Sequence, residues 1–191
     1  MNTIKRLMGF GAAAIVLALS VSCGGDTLPK PKAYLRLDYP MGKYVPLEGD
    51  CPFTFGYNSQ ARVNRSKDCW ALTLDYPKMK ATIYLNYKPV NNNLDVLLMD
   101  AQKLTYKQVV KADDIREQPF INTDKKLYGM FYEVGGNAAT NAQFYVTDST
   151  SNFLSGSVYF YAKPNFDSIM PAASYLRDDM RNIMETVKWK K

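Results

Sequence analysis

A basic pair, Lys5 and Arg6, and an apolar run from Leu7 to about Val21 that closes on Ser22-Cys23 decide which part of this chain has to fold. This is the layout of a bacterial secretory signal, and a cysteine directly after the small Ser22 points to cleavage and lipid attachment at Cys23. The run is about 15 residues, roughly 22 Å of helix, too short for a hydrocarbon core of about 30 Å. Residues 1–22 are therefore expected to leave as a lipoprotein signal peptide. Residues 23–32, Gly-rich and then Pro-rich, are expected to form a flexible tether from the lipid on Cys23. About ten residues reach at most about 35 Å, so residues 33–191 should form a single domain working close to a membrane. Ser20 stands where a large aliphatic residue usually precedes such a cysteine, which leaves an ordinary signal peptide cut elsewhere as the alternative.

Removing residues 1–22 from the 191 leaves about 170, enough for one domain with a real core. Of the 3 cysteines, lipid on Cys23 leaves Cys51 and Cys69, which can pair in an oxidising compartment with none left over. Two buried free thiols are the alternative. A loop of that size gains on the order of 3 kcal/mol from closure. The net charge of +6 falls to about +4 once Lys5 and Arg6 are gone, an excess suited to loose attraction to anionic lipid or wall polymer. No basic stripe with interleaved aromatics is present, so nucleic acid is not an expected partner.

The body reads as strands broken by two amphipathic helices. Strands are expected at Ala33–Tyr39, Pro52–Tyr57, Trp70–Asp75 and Lys80–Tyr87, the last with Ile83, Leu85 and Tyr87 on one side. Asn91-Asn92-Asn93 offers a turn and a helix cap. The first helix is expected from Leu94 to Val110, with Leu94, Leu97, Leu98, Ala101 and Leu104 on one face. Four strands follow, near Ile115–Ile121, Leu127–Val134, Ala142–Asp148 and Phe153–Tyr161. Their turns are expected at Asn122-Thr123-Asp124, Gly135-Gly136-Asn137 and Ser149-Thr150-Ser151-Asn152. A second helix from Ser168 to Val187 puts Ile169, Ala173, Leu176, Met180, Ile183 and Val187 on one stripe, with Pro171 in its first turn. The fold class implied is α+β, a mostly antiparallel sheet with two helices. By element order alone it resembles the PsbP/Mog1-like α/β/α sandwich.

The chain has no histidine, which removes Ser-His-Asp and Cys-His arrangements and the commonest transition-metal ligand. No phosphate-cradling or dinucleotide glycine motif occurs, so no cofactor and no metal are expected. A carboxylate-pair hydrolase is the remaining catalytic possibility. The adjacent pairs Asp113-Asp114 and Asp178-Asp179 are expected on solvated surface, since helix neighbours diverge. Fourteen tyrosines and nine phenylalanines suit half-buried sheets and protein interfaces, and strand alternation should turn some of them outward. Tyr128, the double glycine Gly135-Gly136 and the turn acid Asp148 are the candidate partner surface. The glycines serve either a tight turn or a docking groove. For Asp148, turn chemistry is favoured over a hard-cation site.

Several strings, taken together and in order, resemble the gliding-motility lipoprotein GldD family. They are Pro31-Lys32-Ala33-Tyr34-Leu35-Arg36-Leu37-Asp38-Tyr39-Pro40, Ala81-Thr82-Ile83-Tyr84-Leu85-Asn86-Tyr87, Tyr128-Gly129-Met130 and Gly135-Gly136-Asn137-Ala138-Ala139. Gln143-Phe144-Tyr145-Val146-Thr147-Asp148-Ser149, Gly156-Ser157-Val158-Tyr159-Phe160, Pro164-Asn165-Phe166-Asp167-Ser168 and Glu185-Thr186-Val187-Lys188-Trp189 continue the match. The resemblance implies a non-catalytic envelope lipoprotein of gliding or an associated type IX-like secretion apparatus. It would be anchored in the outer membrane facing the periplasm, with other motility or secretion proteins as partners. The alternative is a lipoprotein that binds a glycan or lipid fragment in a tyrosine-lined pocket between sheet and helix.

Overall fold

Alternation of apolar and polar residues builds the central element, a seven-stranded antiparallel sheet. The computed structural model describes residues 39–107, 112–136, 138–161 and 166–190. All of them lie in one compact unit, Lys32–Lys191. The elements are β1 (Tyr44–Pro46), β2 (Phe53–Thr54), β3 (Gly56–Asn58), β4 (Arg62–Arg65), β5 (Ala71–Tyr76), β6 (Ala81–Pro89) and α1 (Leu94–Tyr106). They continue with β7 (Ala112–Asn122), β8 (Leu127–Gly136), β9 (Thr140–Thr147), β10 (Asn152–Phe160), α2 (Phe166–Thr186) and β11 (Lys188–Trp189). The main sheet runs β4-β5-β6-β10-β9-β8-β7. After β6 the chain therefore crosses, by way of α1, to the far edge and returns strand by strand until β10 closes on β6.

The two faces of this sheet bury against different helices. Leu72, Leu74, Ile83, Leu85, Phe131, Phe144, Leu154 and Val158 join Leu176, Met180 and Ile183 of α2 in the main core. The complete stripe expected for the second helix, Ile169 to Val187, is buried. On the opposite face Phe153 and Tyr145, stacked at 5.6 Å, meet Leu97 and Ala101 of α1. Each fully buried Leu, Ile or Phe contributes about 1.5–3 kcal/mol of transfer energy, so the α2 face carries most of the stability.

A small N-terminal layer lies against α2. β1 pairs with β3, and β11, just after α2, pairs with β2. Asn182 donates to the Gly56 carbonyl at 2.8 Å, and Thr186 accepts from the Gly56 amide at 2.9 Å. The Cys51–Cys69 disulfide is formed, tying the start of this layer to the start of β5.

Several expectations need correction. Ala33–Tyr39 lies outside the described residues except for Tyr39, which is not in a strand. Pro52–Tyr57 is two strands, β2 and β3, in separate sheets. Asn93 does occupy the N-cap of α1 but makes no capping bond; its Oδ1 accepts from the Asn91 amide instead. On α1 the buried stripe includes Thr105, while Leu104 is exposed. Leu104 lies about 20° outside Leu97 on the helical wheel, at the rim of a stripe centred nearer Ala101. Helix α2 begins at Phe166, so Pro171 falls in the second turn, not the first. Gly135 and Gly136 belong to β8 and make no turn.

The largest correction is Asp179. Asp178 is exposed as expected, but Asp179 is only 2 % exposed. Its carboxylate accepts from Tyr44 Oη at 2.8 Å, Tyr76 Oη at 2.9 Å and Asn58 Nδ2 at 3.0 Å, with no cation among these partners. Burial pushes its carboxyl above the usual carboxylate range, and the three donors offset only part of that. Asp179→Ala leaves the buried Tyr76 hydroxyl and the more exposed Tyr44 hydroxyl without their acceptor, while Asn58 Nδ2 keeps Tyr175 Oη, and is expected to cost about 2 kcal/mol in urea unfolding at pH 7. Because the folded pKa is raised, the contribution of Asp179 is full below about pH 4 and falls as pH rises through that pKa. Wild type should therefore gain on Asp179→Asn as the pH is lowered from 7 to 4; a difference that shrinks over that range would refute the assignment.

Candidate functional site

Two β-bulges at one end of the main sheet border a cleft against α2. In β7, Ala112 pairs with Gly136 and Ile115 with Val134, so Asp113 and Asp114 together oppose Gly135. In β9, Gln143 pairs with Ser157 and Thr140 with Tyr159, so Asn141 and Ala142 oppose Val158. Such two-against-one insertions bend a strand and re-aim its side chains. Between these bulges and α2 lies a cleft of about 600 Å³, bounded by Asp113, Asp114, Gly135, Gly136, Asn141 and, from α2, Met170, Pro171, Ser174 and Arg177.

The double glycine allows a close approach at the edge of this cleft. A Cβ on Gly135 would come within 1.9 Å of Asp114 Oδ1, and one on Gly136 within 2.7 Å of the Asp113 carboxyl carbon. Gly136 also holds a φ of 84°, in the left-handed region that side chains disfavour. Of the two roles open to these glycines, the close approach applies, and it lets the two acids lie across β8.

Charges around the cleft are mostly matched. Glu133, on the α2 face of β8, meets Arg181 at 3.1 Å and Arg177 at 3.4 Å and accepts from Gln118 Nε2 at 3.1 Å. Arg181 lies 4.4 Å above the Phe131 ring, so its charge is held over an aromatic face. Arg116 pairs with Asp114 at 3.0 Å. Among the described residues Tyr132 Oη and Thr140 Oγ1 are buried without a hydrogen-bond partner, and two further groups at the cleft itself are left over. Asp113 is exposed and has no ion pair. Asn141 is 6 % exposed, and neither its Nδ2 nor its Oδ1 has a hydrogen-bond partner.

The other proposed surface residues lie elsewhere. Tyr128 pairs with Thr147 at the far end of β8, and Asp148 follows directly in the β9–β10 turn. The structure thus brings Tyr128 and Asp148 together and places Gly135 and Gly136 at the opposite end of the same strand. Asp148 does turn chemistry: its carboxylate accepts from the amides of Thr150, Ser151 and Asn152 and from Asn152 Nδ2. Burial pushes that carboxyl up, but these four bonds outweigh it and hold it below the usual range. Cys23 lies outside the described residues. The pocket anticipated between sheet and helix has tyrosines in its lining, whereas no tyrosine borders this cleft.

Outward aromatics do occur, on the face of β6 and β10 away from α2. Tyr84 and Tyr159 meet edge to face at 5.6 Å, Tyr84 and Tyr161 share a hydroxyl hydrogen bond of 2.6 Å, and Tyr161 is 64 % exposed. Sequence reasoning expects outward aromatics from Tyr159-Phe160-Tyr161 but misses Tyr84 as their neighbour, along with Asn141, Glu133 and Arg177. Strand alternation identifies Tyr84 and Tyr159 as sharing a face, but only the pairing of β6 with β10 makes them neighbours. No group of three acidic or cysteine side chains suited to a metal occurs among the described residues.

The family description "Gliding motility lipoprotein GldD" matches residues 24–189. The chain belongs to that family. Members are structural and accessory rather than catalytic, and this one is an accessory protein of the gliding-motility class. No curated protein matches the chain. For this GldD-family member, Gly136→Ala is expected to destabilise by about 1–3 kcal/mol in urea unfolding, through backbone strain and the displaced Asp113. Asp148→Ala should cost about 1–2 kcal/mol at pH 7. A depressed carboxyl contributes stability above its unfolded pKa, so this second gap should shrink as pH falls below about 4.

Proposed function

We propose that this GldD-family member is tethered by lipid on Cys23 to the periplasmic face of the outer membrane. There it acts as a docking subunit for other proteins of gliding motility or of an associated type IX-like secretion apparatus. The observation that carries the reading is where the family match begins: it starts at residue 24, directly after the cysteine that closes the apolar run. A lipoprotein family whose shared sequence opens at the residue after Cys23 fits cleavage and acylation at that point. A tether of about ten residues keeps the folded body within roughly 35 Å of the lipid, so a partner must reach the membrane surface or be embedded in it.

Three surfaces support docking. The hydroxyl-rich trio Tyr84, Tyr159 and Tyr161 presents half-exposed rings of the type enriched at interfaces. Tyr128 with Asp148 at one end of β8, and Gly135 with Gly136 at the other, are the remaining candidate surfaces. A helix on each face of the sheet supports the finer likeness to a PsbP/Mog1-like α/β/α sandwich.

Cys23→Ala in the full-length precursor, expressed in a gliding host, tests the anchor. The expected outcome is loss of fatty-acid labelling and of the membrane-bound pool, with motility or adhesin export impaired. Protein that remains membrane-bound after Cys23→Ala would refute it. Crosslinking in the same host is expected to recover other motility or secretion proteins with the wild-type chain.

A further inference from the structure

Asn141 has an environment that folding alone does not explain. Burying an amide without partners is unfavourable, and an aliphatic side chain of the same size would fill the space at no such cost. Asn141 is 6 % exposed with both polar atoms unpartnered and closed to solvent, and it sits at a bulge that borders the cleft. The same cleft is lined by Gly135 and Gly136, against which Asp114 and Asp113 pack closely, and the Asp113 carboxylate has no ion pair among the described residues. Met170 and Pro171 give the wall opposite an apolar character.

Each free valence calls for a specific complement. An Asn side chain offers one acceptor and a pair of donors, the pattern that matches the N–H and C=O of a peptide backbone in two parallel bonds. Asp113 calls for a cation, and the Met170–Pro171 wall for an aliphatic group. The neighbouring arginines do not compete for an anion, because Arg177 is engaged by Glu133 and Ser174, and Arg116 by Asp114. We propose that this cleft binds a short extended peptide segment carrying a basic residue: the Asn141 amide turns outward to pair with its backbone, its cation pairs with Asp113, and an aliphatic side chain rests on Met170 and Pro171. A buried amide is then kept at some cost to stability because a ligand completes it, as functional sites commonly trade stability for activity. The assignment goes beyond the docking role proposed above and does not depend on Cys23.

The full chain, purified in mild detergent, is titrated by calorimetry with an acetylated, amidated tetrapeptide containing one leucine and one lysine, and with the counterpart in which glutamate replaces lysine. Saturable one-to-one binding of the lysine peptide is expected, weakened at least tenfold in the glutamate peptide, in Asp113→Asn and in Asn141→Leu. Asn141→Leu is also expected to raise the melting temperature, by about 2–4 °C if one unpaired amide is relieved. Asp113→Asn changes only an exposed side chain and reports on binding even if the core substitution perturbs folding. Absence of saturation at millimolar peptide, equal binding of both peptides, or unchanged binding in Asp113→Asn each overturns the proposal. So does a lowered melting temperature in Asn141→Leu, which would mark the amide as a structural element.

Discussion

One buried carboxylate without a counter-cation holds the N-terminal layer of this protein to its helix-covered sheet. Asp179 gathers hydroxyl and amide donors from Tyr44, Asn58 and Tyr76, which stand 135, 121 and 103 positions away in the chain. Tyr175, one turn earlier on α2, extends the cluster by accepting from Asn58 and donating to the Pro40 carbonyl. Further along the helix Asn182 and Thr186 satisfy the backbone of Gly56. The polar side of α2 thus serves as a ladder of matched groups, while its apolar stripe faces the sheet. Buried polar contacts of this type add little net energy, but leaving any one unmatched is expensive, so they specify how the layer docks.

This arrangement bears on the membrane role. A tether is useful only if pulling on it moves the whole body as a unit. The segment after Tyr39 is pinned by the Asp179 cluster, by pairing of β2 with β11, and by the Cys51–Cys69 bridge to β5. Both ends of the described chain therefore meet in one small layer against α2. The opposite face of the sheet, where the Tyr84 trio lies, and the two-bulge cleft stay clear of that attachment.

Local periodicity made the main sheet and both helices legible, because each strand or helix buries one face and shows it every second residue or every turn. The α2 stripe is read correctly at every position, and Ile83, Leu85 and Tyr87 face the main core as their alternation requires. What could not be read depends on neighbours distant in sequence. Asp179 looks like surface because its donors come from β1, β3 and β5. Thr105 displaces Leu104 because the contact with the sheet centres nearer Ala101, and where on the wheel that centre falls is set by the sheet rather than by the helix. Gly135-Gly136 carries a visible signal of special backbone, but whether it marks a turn or a close approach depends on the bulge in β7, which leaves no trace in the pattern. Asn141 had no signal at all, since a bulge shifts it to the face opposite to the one alternation assigns.

The two edges of the sheet narrow how such a subunit can engage partners. β7 is an eleven-residue edge strand, long enough to template another strand, yet it carries Pro119 at its middle and the charges of Asp113, Asp114, Arg116 and Glu117. Proline removes a donor, and charges oppose flat edge-to-edge association, the usual defences of an exposed edge. The other edge, β4, has four residues, two of them arginine. Strand addition is therefore disfavoured at both edges, and recognition falls to side chains, on the tyrosine face and in the cleft. The proposed docking of partners beside a membrane, without polymerisation along the sheet, needs that division. Here it is written into the proline, the charges and the paired bulges of the strands around the sheet's far end.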